Sequence, residues 1–122
     1  MSLREPPRIT DIDSLEPYVA GRVRRILARL QRMGLDPVVV EARRTPERQE
    51  WLYGIGRTHS KHRQPVTFTR NSRHLVGKAV DIVSRSKGWS DPKFFDALKK
   101  VAEEEGMSVP YSWDRAHVEW RG

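Results

Sequence analysis

Apolar side chains at Leu15, Val19, Val23, Ile26, Leu27, Leu30 and Met33 recur in the three- and four-residue steps that place them along one side of an α-helix. The spacing predicts a helix from about residue 15 to 33, capped by Asp13 or Ser14 and ended by Gly34 in a left-handed conformation. Arg22, Arg25, Arg29 and Arg32 fall on the opposite side. The period then shortens: Val38-Val39-Val40, within residues 37–42, is a β-branched run that predicts a short buried strand. Thr45-Pro46-Glu47 combines a cap, a first-turn proline and a first-turn acid, which opens a helix running to about Tyr53. Gly54 and Gly56 close it. Residues 56–71 have no period and predict a mobile surface loop. Strand patterns follow at 78–83, 107–110 and 116–120, with a helical stripe through Phe94, Phe95, Leu98 and Val101 between the first two. This order predicts an α+β domain with a small, mainly antiparallel sheet flanked by helices.

At 122 residues the chain fits one domain, 1–122, in which residues 1–12 form a loosely ordered N-terminal extension. Hydrophobic residues at 37% suffice for a modest core and charged residues at 32% leave a polar surface, so a soluble monomer is expected. No apolar run reaches the roughly 18–20 residues of a membrane span, and the N-terminus lacks a secretory h-region. The protein is therefore expected to be made in the cytoplasm and to depend on another route if its target lies outside. A net charge of +7 implies attraction to polyanions, either nucleic acid or an anionic bacterial envelope. Without cysteine, any metal must be held by histidine and carboxylate, which confines the search to four histidines and a few acids.

The densest chemistry lies in Ser72-Arg73-His74-Leu75-Val76-Gly77-Lys78-Ala79-Val80-Asp81. If Gly77 turns the chain into a strand, Ala79, Asp81 and Val83 share one face, and a lone buried carboxylate there is costly. A metal ion or a strong hydrogen-bond partner removes that cost, and the turn at Gly77 can return His74 to the same point. In Trp113-Asp114-Arg115-Ala116-His117-Val118-Glu119-Trp120, His117 enters an aromatic-flanked strand three residues after an acid. His74, Asp81 and His117 would bind zinc and leave a fourth position open for water, the hallmark of a catalytic site. A nearby carboxylate could then act as base: Asp114 is the first candidate, and Glu119, on the face of His117, is the rival or an orienting partner of that histidine. Arg44, where strand meets helix, is placed to bind a substrate carboxylate or a developing oxyanion. His59 and His62, a His-x-x-His pair in the basic loop, are expected to be solvated.

The pattern Ser72-x-His74-x-x-Gly77-x-Ala79-x-Asp81 followed by Asp114-x-x-His117 resembles the D-alanyl-D-alanine carboxypeptidase and L-alanyl-D-glutamate endopeptidase family of zinc peptidases. The segment from Glu41 to Gln49 is similar to that family's strand-to-helix junction, and Gly56-Arg57-Thr58 with Val66-Thr67 looks like its phage endolysin branch. The resemblance implies the fold shared with hedgehog amino-terminal domains, with zinc on His74, Asp81 and His117, Asp114 as base and Arg44 meeting substrate or transition-state charge. Gln49, Ser72 and Trp113 are expected beside Arg44 as substrate-binding residues. The implied partner is the peptidoglycan stem peptide, cut at L-alanyl-D-glutamate after holin-type release, with D-alanyl-D-alanine trimming as the alternative. From another class, the arginines at 22, 25, 29 and 32 suit a basic nucleic-acid-binding module.

Overall fold

The computed structural model describes residues 4–122. Helix α1 spans Pro17–Arg32 and buries Val19, Ala20, Val23, Ile26 and Leu30, the stripe expected from the sequence. Its start lies later than the pattern suggests. Residues Ile12–Ser14 instead form a separate 3-10 turn, in which the Ser14 hydroxyl donates to the Asp11 carbonyl. Glu16 is the cap, accepting the Val19 N–H, and Pro17 takes the first helical position, where its missing N–H costs nothing. Gly34 closes the helix at φ 82°.

Strand β1 (Pro37–Glu41) leads through Thr45, whose hydroxyl accepts the Arg48 N–H, into helix α2 (Pro46–Gly54). Strand β2 (Ala79–Ser84), helix α3 (Pro92–Glu104) and strand β3 (His117–Glu119) complete the fold. The sheet order is β1-β2-β3, antiparallel throughout, with β2 in the centre. Val38 stands opposite Val83, and Asp81 stands directly opposite His117. Val80 and Ile82 share one face of β2 and join the core with Leu30, Phe94, Leu98 and Val118. Burying side chains of this size contributes about 1.5–3 kcal/mol each. Asp81, between Val80 and Ile82, points to the opposite face, so the helix-backed core is the platform on which the carboxylate stands.

One further expectation changes. Residues 107–110 form no strand; Ser108 makes only an isolated bridge to Glu119. Ahead of the first turn, the Ala42 N–H donates to the Ile9 carbonyl at 2.6 Å, and Arg48 Nη1 binds both Glu5 Oε2 at 2.7 Å and the Pro6 carbonyl at 3.0 Å. Residues 1–3 lie outside the described part. The irregular segment 56–71 is anchored at its start by a bridge between Ile55 and His59. Among the described residues no helix is long and apolar enough to cross a membrane.

Candidate metal centre

His74 sits in a 3-10 turn, Arg73–Val76, capped by Ser72, whose hydroxyl accepts the His74 N–H at 3.2 Å. Gly77 ends the turn at φ 71°. A Cβ there would lie 2.8 Å from both the Glu16 backbone nitrogen and Arg43 Nη2, so this close approach requires glycine. The turn drives His74 inward until it is 1% exposed, and its carbonyl accepts the Arg44 N–H at 2.9 Å. The turn that carries His74 and the start of α2 are thereby stitched together.

The protons on both imidazoles follow from their partners. His74 Nδ1 lies 2.7 Å from the Ala42 carbonyl, which can only accept, so Nδ1 carries the hydrogen and Nε2 presents a lone pair. His117 Nε2–H donates to Glu119 Oε1 at 2.8 Å, which leaves the Nδ1 lone pair facing inward. Those two lone pairs meet Asp81 Oδ1 at 3.2 and 3.6 Å, and one ligand atom from each of the three residues lies within 4.8 Å of the others. Three acceptors converging without a hydrogen between them repel one another unless a positive charge joins them. A tetrahedral zinc with bonds of about 2.0–2.1 Å has ligand-to-ligand edges of about 3.3 Å, close to the two histidine distances to Asp81. Local electrostatics agree: burial pushes the Asp81 carboxyl up, but His117 and His74 outweigh it and hold it far below the ordinary carboxylate range. For His117 burial pulls the other way, yet Asp81 and then Glu119 prevail and raise it above the usual imidazole value. The pocket stabilises added positive charge, whether protons or a divalent cation that displaces them.

Around this centre lies a cavity of about 480 Å³ whose walls include Arg44, Ser72, Tyr111, Trp113 and Asp114. Asp114 enters on the turn before β3, in which its N–H bonds the Tyr111 carbonyl and its carbonyl accepts the His117 N–H. Burial first, and the Asp81 charge second, push its carboxyl above the usual aspartate range. Arg44 Nη2 binds Glu41 Oε1 at 2.7 Å and lies 3.7 Å from Asp81 Oδ2, and its Nε is the sole buried side-chain polar atom without a partner among the described residues. Glu119 lies behind His117, accepting from it and, at 2.9 Å, from Arg121 Nε, which matches the orienting alternative.

Gln49 departs from expectation. It is buried, its Oε1 accepts from Arg44 Nη1 and its amide nitrogen donates to the Thr69 carbonyl, so both ends are engaged and it steadies Arg44 instead of facing substrate. The sequence reading also missed the pair that holds this assembly: Arg48 is 2% exposed and its Nε binds Glu41 Oε2. Arg8, carried by the N-terminal strap, joins the cavity wall. A strand-to-helix Glu41/Arg48 pairing has no periodic signature, and no local pattern in the sequence marks it. His59 is no ligand; its ring bonds the Trp51 carbonyl and the Ser60 hydroxyl, while His62 is exposed. On α1, Arg22, Arg25 and Arg29 converge on the buried Glu105, so three of the four arginines that suggested nucleic acid are tied into ion pairs on a face that stays net positive.

A His, Asp, His centre built from one turn and two neighbouring strands, with an acid and an arginine in the same cavity, is the arrangement of a metal-dependent hydrolase. Residues 12–120 match the family VanY, D-alanyl-D-alanine carboxypeptidase, and the chain belongs to that family of zinc metallopeptidases. No curated protein sequence is significantly similar to it. Among solved structures, the L-Ala D-Glu endopeptidase ChiX of Serratia marcescens is 25% identical with a TM-score of 0.62, covering 95% of this chain and 91% of that one. The vancomycin resistance D,D-pentapeptidase VanY of a VanB-type cassette, solved as an E175A mutant with Zn(II), is 16% identical with a TM-score of 0.71, covering 88% and 73%. The LD-carboxypeptidase LdcB is 18% identical with a TM-score of 0.70; the match covers 88% of this chain and 59% of that one. The last two establish the shared fold.

Proposed function

We propose that this chain is a zinc-dependent peptidoglycan endopeptidase that hydrolyses the L-alanyl-D-glutamate bond of the stem peptide. The observation that carries the hydrolytic part is the convergence of His74 Nε2, Asp81 Oδ1 and His117 Nδ1 beside Asp114 and Arg44 in one cavity. The likeness to ChiX, nearly end to end in both chains, supports the choice of bond. Zinc, when bound by His74, Asp81 and His117, supplies Lewis acidity toward water and an amide carbonyl. Asp114 accepts the proton of the attacking water and returns it to the departing amine. Arg44, steadied by Glu41 and Gln49, faces the negative charge that develops on the carbonyl oxygen or a neighbouring substrate carboxylate. The phage-lysin setting and release through a holin pore belong to the same proposal.

A second reading, D-alanyl-D-alanine carboxypeptidase, is favoured by the family's own description and draws equal support from it. The test measures zinc content and identifies by mass spectrometry the peptides released from purified peptidoglycan, for wild type and Asp114→Ala. A new free L-alanine terminus in the wild type, together with full zinc content and a rate loss of about 10²–10⁴-fold in the variant, is expected. Release of D-alanine alone would replace the endopeptidase reading by the carboxypeptidase one. An active protein without metal would end both.

A further inference from the structure

Beside the catalytic cavity runs a second groove of about 580 Å³, and the two share Val66, Trp113 and Asp114. Trp89, in the turn between β2 and α3, forms its far wall and Phe95 of α3 contributes to its lining. Trp89 is 58% exposed and Trp113 71%, with Val66 exposed between the two sites. Single exposed apolar residues mean little, but two indoles bordering one concave surface next to a reaction centre mark a binding face. The groove carries little free charge. Arg115 donates to Asp96 at 2.6 Å and lies over the Phe95 ring, and the carboxylate of Asp114 at the shared border repels anions. Ser112 adds a hydroxyl to the lining. Flat apolar walls with a few neutral polar groups suit a ring that has apolar C–H faces and hydroxyl or acetamido edges, and not a polyanion.

We propose that this groove seats an N-acetylhexosamine ring of the glycan strand that carries the stem peptide. The proposal deepens the endopeptidase reading and rests on it for its register. His117 stacks on Tyr111 and Tyr111 on Trp113, with ring centroids 5.2 and 5.1 Å apart, so Trp113 stands two ring steps from the metal centre. In peptidoglycan the L-alanine is joined to the lactyl group of the muramyl sugar. Cleavage after L-alanine leaves one residue, about 3.3–3.6 Å when extended, plus the lactyl link between the bond and the sugar. That reach brings the sugar to Trp113. Cleavage between the terminal D-alanines leaves four residues, about 13–14 Å of extended chain, and carries the sugar beyond it.

Two measurements test the groove, each on the zinc-loaded full chain and on Trp89→Ala, a substitution at an exposed turn outside the catalytic constellation. The first is tryptophan fluorescence titrated with a peptide-free N-acetylglucosaminyl-N-acetylmuramic acid disaccharide. The second is kcat/KM on a muramyl stem peptide and on the same peptide with an acetyl group in place of the sugar, with the cleaved bond identified by mass spectrometry. The expected result is a saturable signal lost in Trp89→Ala, and a wild-type preference of about tenfold for the muramyl substrate, in KM, that the variant abolishes while its rate on the sugar-free peptide stays unchanged. Cleavage at L-alanyl-D-glutamate with no sugar preference and no disaccharide binding would overturn the groove assignment and leave the endopeptidase reading standing. Disaccharide binding that depends on Trp89, with cleavage only at D-alanyl-D-alanine, would keep the saccharide site and overturn the endopeptidase reading.

Discussion

Replacing Glu119 by alanine separates the two roles open to that carboxylate. Its Oε1 receives the His117 Nε2–H at 2.8 Å, and its Oε2 is held by Arg121 at 2.9 Å, with Arg73 Nε a further 3.4 Å contact. Without it the imidazole loses the acceptor that keeps hydrogen on Nε2, and a proton can settle on Nδ1, the atom needed for the metal. Partners of this kind are worth about 10–100-fold in metal affinity, or about 1.4–2.7 kcal/mol. Zinc at saturating concentration stabilises only the folded chain, so the stabilisation it confers should fall by the same amount. At about 3–5 °C per kcal/mol for a domain of this size, the gap in melting temperature between zinc-loaded and metal-free protein should shrink by roughly 4–13 °C. Chelator competition gives the affinity and calorimetry gives the gap. Glu119→Gln, whose amide oxygen still accepts the Nε2–H, should recover most of both. If Glu119→Ala keeps wild-type zinc affinity while kcat collapses, Glu119 is the base and the orienting role is wrong.

Gly77→Ala forces a side chain into a left-handed backbone, about 1–2 kcal/mol by itself, and pushes Cβ against the Glu16 nitrogen. We expect a loss of at least about 2 kcal/mol in urea unfolding together with weaker zinc binding; a variant within about 0.5 kcal/mol of wild type would refute the packing argument. For Glu105, burial raises the carboxyl pKa, but hydrogen bonds from Arg29 and Arg25 outweigh it, so the folded value lies below the unfolded one. Its stabilisation is therefore complete above the unfolded pKa of about 4.3 and disappears as pH falls through the folded value. Glu105→Gln should flatten the acid limb of a melting-temperature profile, and an unchanged limb would contradict this pairing.

The converging residues His74, Asp81 and His117 and the helices α1, α2 and α3 were legible because each leaves a local mark: a spacing, a cap or a period. Thr45-Pro46 fixed the start of α2 through its own hydrogen bond, with no help from distant parts of the chain. At the start of α1 Asp13 and Ser14 look like caps, but Pro17 fits the first helical position and Glu16 caps the helix. Residues 107–110 have strand-like chemistry, but Ser108 meets Glu119 at a single bridge, and a strand needs a partner as well as a pattern. Gln49, five residues after Arg44, reads in the sequence as a neighbour of substrate. Its amide is taken up by Arg44 and Thr69, contacts that exist only after α2 and the irregular segment fold together. The Glu41/Arg48 pair and the docking of Glu5 were invisible for the same reason: they join positions whose proximity is created by the fold.

The pinned N-terminal strap has a practical side. With Glu5 clasped by Arg48, Ile9 fastened to Ala42 and Arg8 set in the wall of the cleft, removing the strap would take a residue from the substrate pocket and leave Arg48 with Glu41 as its carboxylate partner. Purification handles or fluorescent fusions are better grafted after Gly122, which is exposed and lies beyond the last residue of β3.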